Sequence, residues 1–214
     1  MELDSTSLRL LGCLIEKEMT TPEYYPMTVN ALTAAANQKT NRDPVVVYSE
    51  PEVLGGLDAL RELGLVRAVS SPGSRAVKFK HAFTDVLEID GEQAALLAVL
   101  MLRGEQTSGE LRLRTERYHH FEQLAAVEEV LHRLESRRQP LAERLERRPG
   151  EKESRYRHLL GGDPVREPAP HPPPSSPAEP TGELENLHAR VAELEARVAR
   201  LEGTEDSAAD NPRG

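Results

Sequence analysis

"LVRAVSSPGSRAVKFK", Leu65 to Lys80, decides the fold. Two short runs carrying Val and Phe flank Ser-Pro-Gly-Ser, the punctuation of a β-hairpin. Just before it, "SEPEVLGGLDALREL" (49–63) places Val53, Leu57 and Leu60 at spacings of 4 and 3, one face of a helix. The same sentence is written a second time. Val127, Leu131 and Leu134 repeat the 4, 3 spacing, and "LAERLERRPGEKESRYRHL" (141–159) follows as a second hairpin around Pro-Gly.

Working outward, each unit opens with an apolar helix, "SLRLLGCLIEKEM" near 7–19 and "GEQAALLAVLMLR" near 91–103. A short helix after a Thr comes next. Thr107 and Glu110 form a Thr-x-x-Glu capping box, and Ser49 with Glu52 does the same for the third helix of the first unit, where Pro51 is tolerated in the first turn. Thr28 is matched by Thr107, Leu57 by Leu131 and Pro72 by Pro149, and the offset is shorter for the leucines than for the threonines. The first unit therefore holds about five extra residues between its second and third helices. Three helices followed by a two-stranded wing make a winged helix. The pattern predicts a mainly α chain with small β-hairpin wings (α+β). Its parts are two tandem winged-helix domains at 1–88 and 89–160, a Pro-rich linker at 161–182, a coiled-coil helix at 183–203 and a disordered acidic tail at 204–214.

The extra residues fall in "NQKTNRDPVV" (37–46). Asn37 suits the left-handed conformation at a helix C-terminus, and Asn41 and Asp43 suit side-chain turns, with Pro44 extending Asp43. A turn needs neither Lys39 nor Arg42, so both are candidate contacts to a ligand.

The stretches "LLGCLIEKEMTTPEYYPMTVNALTAAANQKTNRDPV", "LDALRELGLVR", "TSGELRLRTERYHHF" and "RRPGEKESRYRHLL" resemble the YceH family, bacterial cytosolic proteins of largely uncharacterised function. The resemblance covers about residues 5–160 and implies tandem winged-helix domains. It brings no catalytic residue and no cofactor. Where relatives often carry Cys after Ala34, this chain has Ala35 and Ala36, which leaves the loop without a thiol.

Residues 161–182 hold eight of the 16 prolines, an extended spacer at roughly 3.1 Å per residue. Beyond it Leu184, Leu187, Val191, Leu194, Val198 and Leu201 fall at a and d heptad positions. Val at a and Leu at d favour a parallel homodimer, with Arg190 meeting Glu195 and Arg197 meeting Glu202 across the pair; the alternative is a lone amphipathic helix that docks on its own chain. The chain carries net charge −9, unevenly: −4 over residues 1–90, +1 over 91–162 and −6 over 163–214. A broadly basic nucleic-acid-binding domain is absent, so nucleic acid would need a local patch. The N-terminus has no signal-peptide pattern and no run is long enough to span a membrane. The single cysteine, Cys13, lies on an apolar helix face, which fits a reducing cytoplasm.

Enzyme motifs are missing. No Gly-x-Ser-x-Gly, Walker A or Gly-x-Gly-x-x-Gly occurs, and Gly55-Gly56 sits inside a helix pattern. Glu129 and His132 make one Glu-x-x-His where a di-iron bundle needs two. His119-His120 has no third ligand at metal spacing. Neither a cofactor nor a metal is expected. The third helices are acidic: Glu50, Glu52, Asp58 and Glu62 against Arg61, then Glu122, Glu128, Glu129 and Glu135 against Arg133. Both would repel phosphate. The second wing carries Arg144, Arg147, Arg148, Lys152, Arg155 and Arg157, offset by interspersed Glu. Two functions follow: a non-enzymatic dimeric DNA-associated regulator using Lys39, Arg42 and the second wing, or a protein-interaction module that binds no nucleic acid.

Overall fold

The computed structural model describes residues 2–70 and 76–161. The wing tip at 71–75, all but the first residue of the Pro-rich linker, the heptad positions Leu184, Leu187, Val191, Leu194, Val198 and Leu201, and the acidic tail lie outside the described residues.

The described chain is mixed α+β, with seven helices and two small antiparallel sheets, as expected for winged helices. The first half runs α1 (Ser5–Thr20), β1 (Met27–Thr28), α2 (Val29–Ala36), α3 (Glu50–Glu62), β2 (Val66–Val69) and β3 (Lys78–His81). After α4 (Phe83–Leu87), the second half repeats that order with α5 (Gly91–Arg103), β4 (Gln106–Thr107), α6 (Ser108–Thr115), α7 (Leu124–Glu135), β5 (Ala142–Arg144) and β6 (Arg155–His158). The sheets have the equivalent orders β1-β3-β2 and β4-β6-β5.

Both sheets have a third strand that the hairpin pattern does not announce. Its cause is the helix cap. Thr28 and Thr107 cap α2 and α6, so both take extended backbone, φ −76°, ψ 163° and φ −73°, ψ 162°. Extended caps pair readily, Thr28 opposite Lys78 and Thr107 opposite Arg155. The capping boxes at Thr107/Glu110 and Ser49/Glu52 both form. The sequence pattern also passes over α4, which is too short to show a period.

Val53, Leu57 and Leu60 of α3 and Val127, Leu131 and Leu134 of α7 are buried as the spacing predicts. Helix α5 is buried along its whole length from Gln93 to Leu102. A helix apolar on all sides belongs in the middle of a core. It packs against α1 so closely that a Cβ on Gly12 would lie 2.9 Å from Leu102 Cγ. A Cβ on Gly56 would lie 2.8 Å from Leu10 Cδ1, so α3 also approaches α1 through a glycine. One apolar core thus runs through both halves. The boundary read between 88 and 89 falls between α4 and α5.

Candidate interaction site

The connection between α2 and α3, residues 37–49, is a built structure and not an open turn. The Asn37 side chain acts as a short β-bridge: Nδ2 donates to the Tyr48 carbonyl (2.8 Å) and Oδ1 accepts from the Tyr48 N–H (2.7 Å). Asn37 has φ −87°, so the expected left-handed cap is not there; the left-handed residue is Asn41, at φ 62°.

Arg42 corrects the sequence reading more sharply. Its side chain is 0% exposed and points neither at a ligand nor at solvent. Nη2 donates to Glu16 Oε2 (2.5 Å) and Nη1 to Glu16 Oε1 (3.3 Å), while Nε and Nη2 both donate to the Ala35 carbonyl. The guanidinium satisfies an orphan carbonyl at the end of α2 and neutralises a buried carboxylate at once. Glu16 also accepts from Tyr118 Oη (2.9 Å), a residue of the second half. Burial pushes the Glu16 carboxyl upward, but hydrogen bonds and charge from Arg42, with help from Lys17 and Tyr118, outweigh it and hold it below the usual carboxylate range. Two further ties join the loop to α5: Asp43 N–H donates to the Leu102 carbonyl (2.8 Å), and Arg103 donates to Asn41 Oδ1. Lys39 alone of the two loop cations is exposed.

The second wing divides in two. Arg148 pairs with Glu105 (2.7 Å), Arg155 with Glu110 (2.9 Å) and Glu151 (3.4 Å), and Arg157 with Glu143. Arg144, Arg147 and Lys152 make no ion pair among the described residues, and all three line one cleft of about 290 Å3 with Ser108, Glu128 and Tyr156. Arg148 and Arg155 line a separate groove, of about 450 Å3, together with Arg103 and Arg114. Sequence reasoning passed over Arg103, since a cation ending an apolar helix reads as a dipole cap.

The third helices keep their acidic character. Glu50, Glu52, Asp58 and Glu62 are exposed on α3, and Arg61 is tied to Asp58 (2.9 Å). On α7, Arg133 is taken by Asp90 (2.7 Å) and Glu92 (2.8 Å). Apolar side chains accompany them: Val47, just before α3, is 88% exposed, and Val45, Leu54 and Leu124 are also exposed.

Glu129 and His132 are exposed, His119 faces Glu92 (3.5 Å) and His120 faces Glu116 (2.6 Å). Among the described residues no three His, Cys, Asp or Glu side chains gather as a metal site. Cys13 is buried, and burial pushes its thiol up to about 11, so it is not a thiolate at neutral pH. No helix among the described residues is long and apolar enough to cross a membrane.

Helices and a small antiparallel sheet in each half make this a mixed α+β chain, an arrangement consistent with winged helices. The chain belongs to the family described as "Protein of unknown function, DUF480", whose model matches residues 3–151. It is 50% identical over 199 residues to a UPF0502 protein of Geotalea uraniireducens, covering 93% of this chain and 90% of that one. A UPF0502 protein of Geobacter metallireducens is 50% identical over 196 residues (92% and 88%), and one of Dechloromonas aromatica 46% over 201 (94% and 92%).

Proposed function

We propose that this chain is a non-enzymatic cytoplasmic docking protein of the YceH type, with tandem winged-helix modules at 1–88 and 89–160 that engage a protein partner. The observation that carries this reading is the surface of the third helices, where a DNA reader presents cations. Here α3 offers Glu50, Glu52, Asp58 and Glu62 beside exposed Leu54 and Val47, and its one arginine is already paired. Carboxylates with accessible apolar groups suit a protein surface and repel phosphate. The heptads at 184–201 add a homodimer, which would display the acidic faces in pairs.

The test is affinity capture from nuclease-treated lysate with the full chain and with a Glu50→Lys/Asp58→Lys variant. A stoichiometric partner held by the first and lost by the second supports the reading. No partner, or one held equally by both, rejects it. Deleting 183–203 should halve the solution mass, and an unchanged mass rejects the dimer.

A second reading rests on a separate observation, the three unpaired cations of one cleft. Arg144, Arg147 and Lys152, with Lys39 on the first half, would make a DNA-backbone contact without base readout. Duplex binding at about 50 mM salt that weakens steeply toward about 200 mM supports it, and no binding at the lower salt rejects it.

A further inference from the structure

Beyond partner docking, we propose that the groove between the 37–49 connection and the second half is a binding site for a small phosphate ester bearing hydroxyl groups, a sugar phosphate or nucleotide. Its volume, about 450 Å3, is that of a small-molecule site. Four guanidiniums converge on it, from α5, α6 and the two arms of the second wing.

The groove's carboxylates do not neutralise these four evenly. Glu110 is shared: Arg155 holds one oxygen (2.9 Å), Arg114 the other (3.4 Å), and the Thr107 N–H also donates to it (2.9 Å). Glu105 is engaged by Arg148 (2.7 Å). Arg103 makes no ion pair among the described residues, where its side chain donates to the neutral Asn41 amide oxygen. Burial first, then the charges of Arg114 and Arg42, push its guanidinium below the ordinary arginine value. An arginine without an ion pair, beside one whose single carboxylate (Glu110, at 3.4 Å) is shared with Arg155, is a setting in which a phosphate gains charge-assisted, fork-shaped hydrogen bonds.

The remaining polar groups ask for donors. The Asp43 carboxylate, on the loop side of the groove, makes no ion pair among the described residues. Gln106, also in the lining, spends its amide N–H groups on the Arg103 and Glu105 carbonyls (3.0 and 2.8 Å), and its buried Oε1 has no donor among the described residues. Inorganic phosphate, held by the arginines, has only its own P–OH to offer Asp43. A phosphate ester whose hydroxyls reach Asp43 answers the carboxylate as well as the arginines. Because the loop side belongs to the first half and the arginines to the second, an occupant would also bridge the halves.

Calorimetric titration of the full chain at constant ionic strength, about 150 mM, tests this, with ribose 5-phosphate, AMP, inorganic phosphate and a short DNA duplex as probes. The expected result is saturable one-to-one binding of ribose 5-phosphate or AMP, at least about fivefold tighter than inorganic phosphate. Arg103→Gln/Arg114→Gln should weaken it by about tenfold or more, and Asp43→Asn should erase most of the preference over inorganic phosphate. Lys152→Gln, in the other cleft, should change nothing. Should the double variant fail to fold, Arg114→Gln alone decides, since Arg114 has only a half-exposed pair to lose; about threefold weaker binding is expected. No saturable binding at millimolar ester, binding unmoved by the arginine variants, or binding of the duplex alone overturns the proposal. None of these outcomes depends on whether a protein partner is captured.

Discussion

The two halves differ most in the segment that joins their second and third helices. The first half uses the long connection 37–49, and the second the shorter 116–123. Much around these connections repeats: the order of the α-helices and strands, the Thr caps of α2 and α6, the strand order of the sheet. Yet both connections send a side chain to the same atom group. Arg42 from the long one and Tyr118 from the short one meet on the Glu16 carboxylate of α1. The repeat builds two similar halves, and the parts that break the repeat hold them together. Arg42 and Glu16 both belong to the first half, so the contact that crosses between the halves at this group is the hydrogen bond from Tyr118 Oη to the carboxylate that Arg42 neutralises.

The largest effect should come from removing that shared group. Glu16→Ala leaves Arg42 buried with carbonyl partners but no counter-charge, at a cost of about 3–5 kcal/mol. Urea unfolding at pH 7 measures it, and a loss under about 1 kcal/mol would show that the fold does not depend on the pair. The pH dependence follows from the lowered carboxyl. A group whose folded pKa lies below its unfolded value contributes fully above the unfolded value and loses that contribution as pH falls through the folded one. Wild type should therefore lose stability on acidification below the ordinary 4.5, and Glu16→Gln should lose less over the same range.

Next in size is the α1–α5 contact that joins the halves through the core. In Gly12→Ala the new Cβ meets Leu102 Cγ at 2.9 Å and Met101 Cβ at 3.3 Å, atoms close to the backbone that cannot swing away. Overpacking of about 1–3 kcal/mol, less about 1 from better helix propensity, leaves a net loss of up to about 2 kcal/mol in thermal unfolding. Tyr118→Phe probes the short connection alone. It removes one hydrogen bond to a carboxylate that keeps Arg42, so about 1 kcal/mol is expected. A loss as large as that of Glu16→Ala would place the tie in the short connection and leave Arg42 a minor part in it.

Much of the skeleton was legible because it is local. The 4, 3 spacings, the capping boxes and the Pro-Gly hairpins each lie within a few residues, and local signals survive in one sequence. Arg42 was not legible. A loop arginine looks the same whether it faces water or a carboxylate 26 residues upstream, and Tyr118 reaches Glu16 across 102 positions. The wing cations were half legible. Their interspersed glutamates announced ion pairing, but only the fold shows that Arg148, Arg155 and Arg157 are taken while Arg144, Arg147 and Lys152 share a cleft. Arg103 was no more legible, since the Asn41 side chain it meets lies 62 positions away.

The smallest effect tests the same lesson within one helix. Residues 55 and 56 of α3 are both glycine, where the equivalent positions of α7 are Glu129 and Val130. The sequence cannot separate the two glycines. The structure does: a Cβ on Gly55 meets nothing within 4 Å, while one on Gly56 meets Leu10 and Thr6 of α1. Gly55→Ala then gains helix propensity without a clash and should stabilise by about 0.5–1 kcal/mol. Gly56→Ala makes the same gain but must displace a buried leucine, so its effect should be destabilising. Opposite signs from adjacent, chemically identical substitutions would show that α3, unlike α7, needs one glycine to reach α1 and carries the other without structural cause. Equal signs would mean that α1 and α3 can part at little cost, and that the first half is held by its connection to Glu16 more than by this crossing.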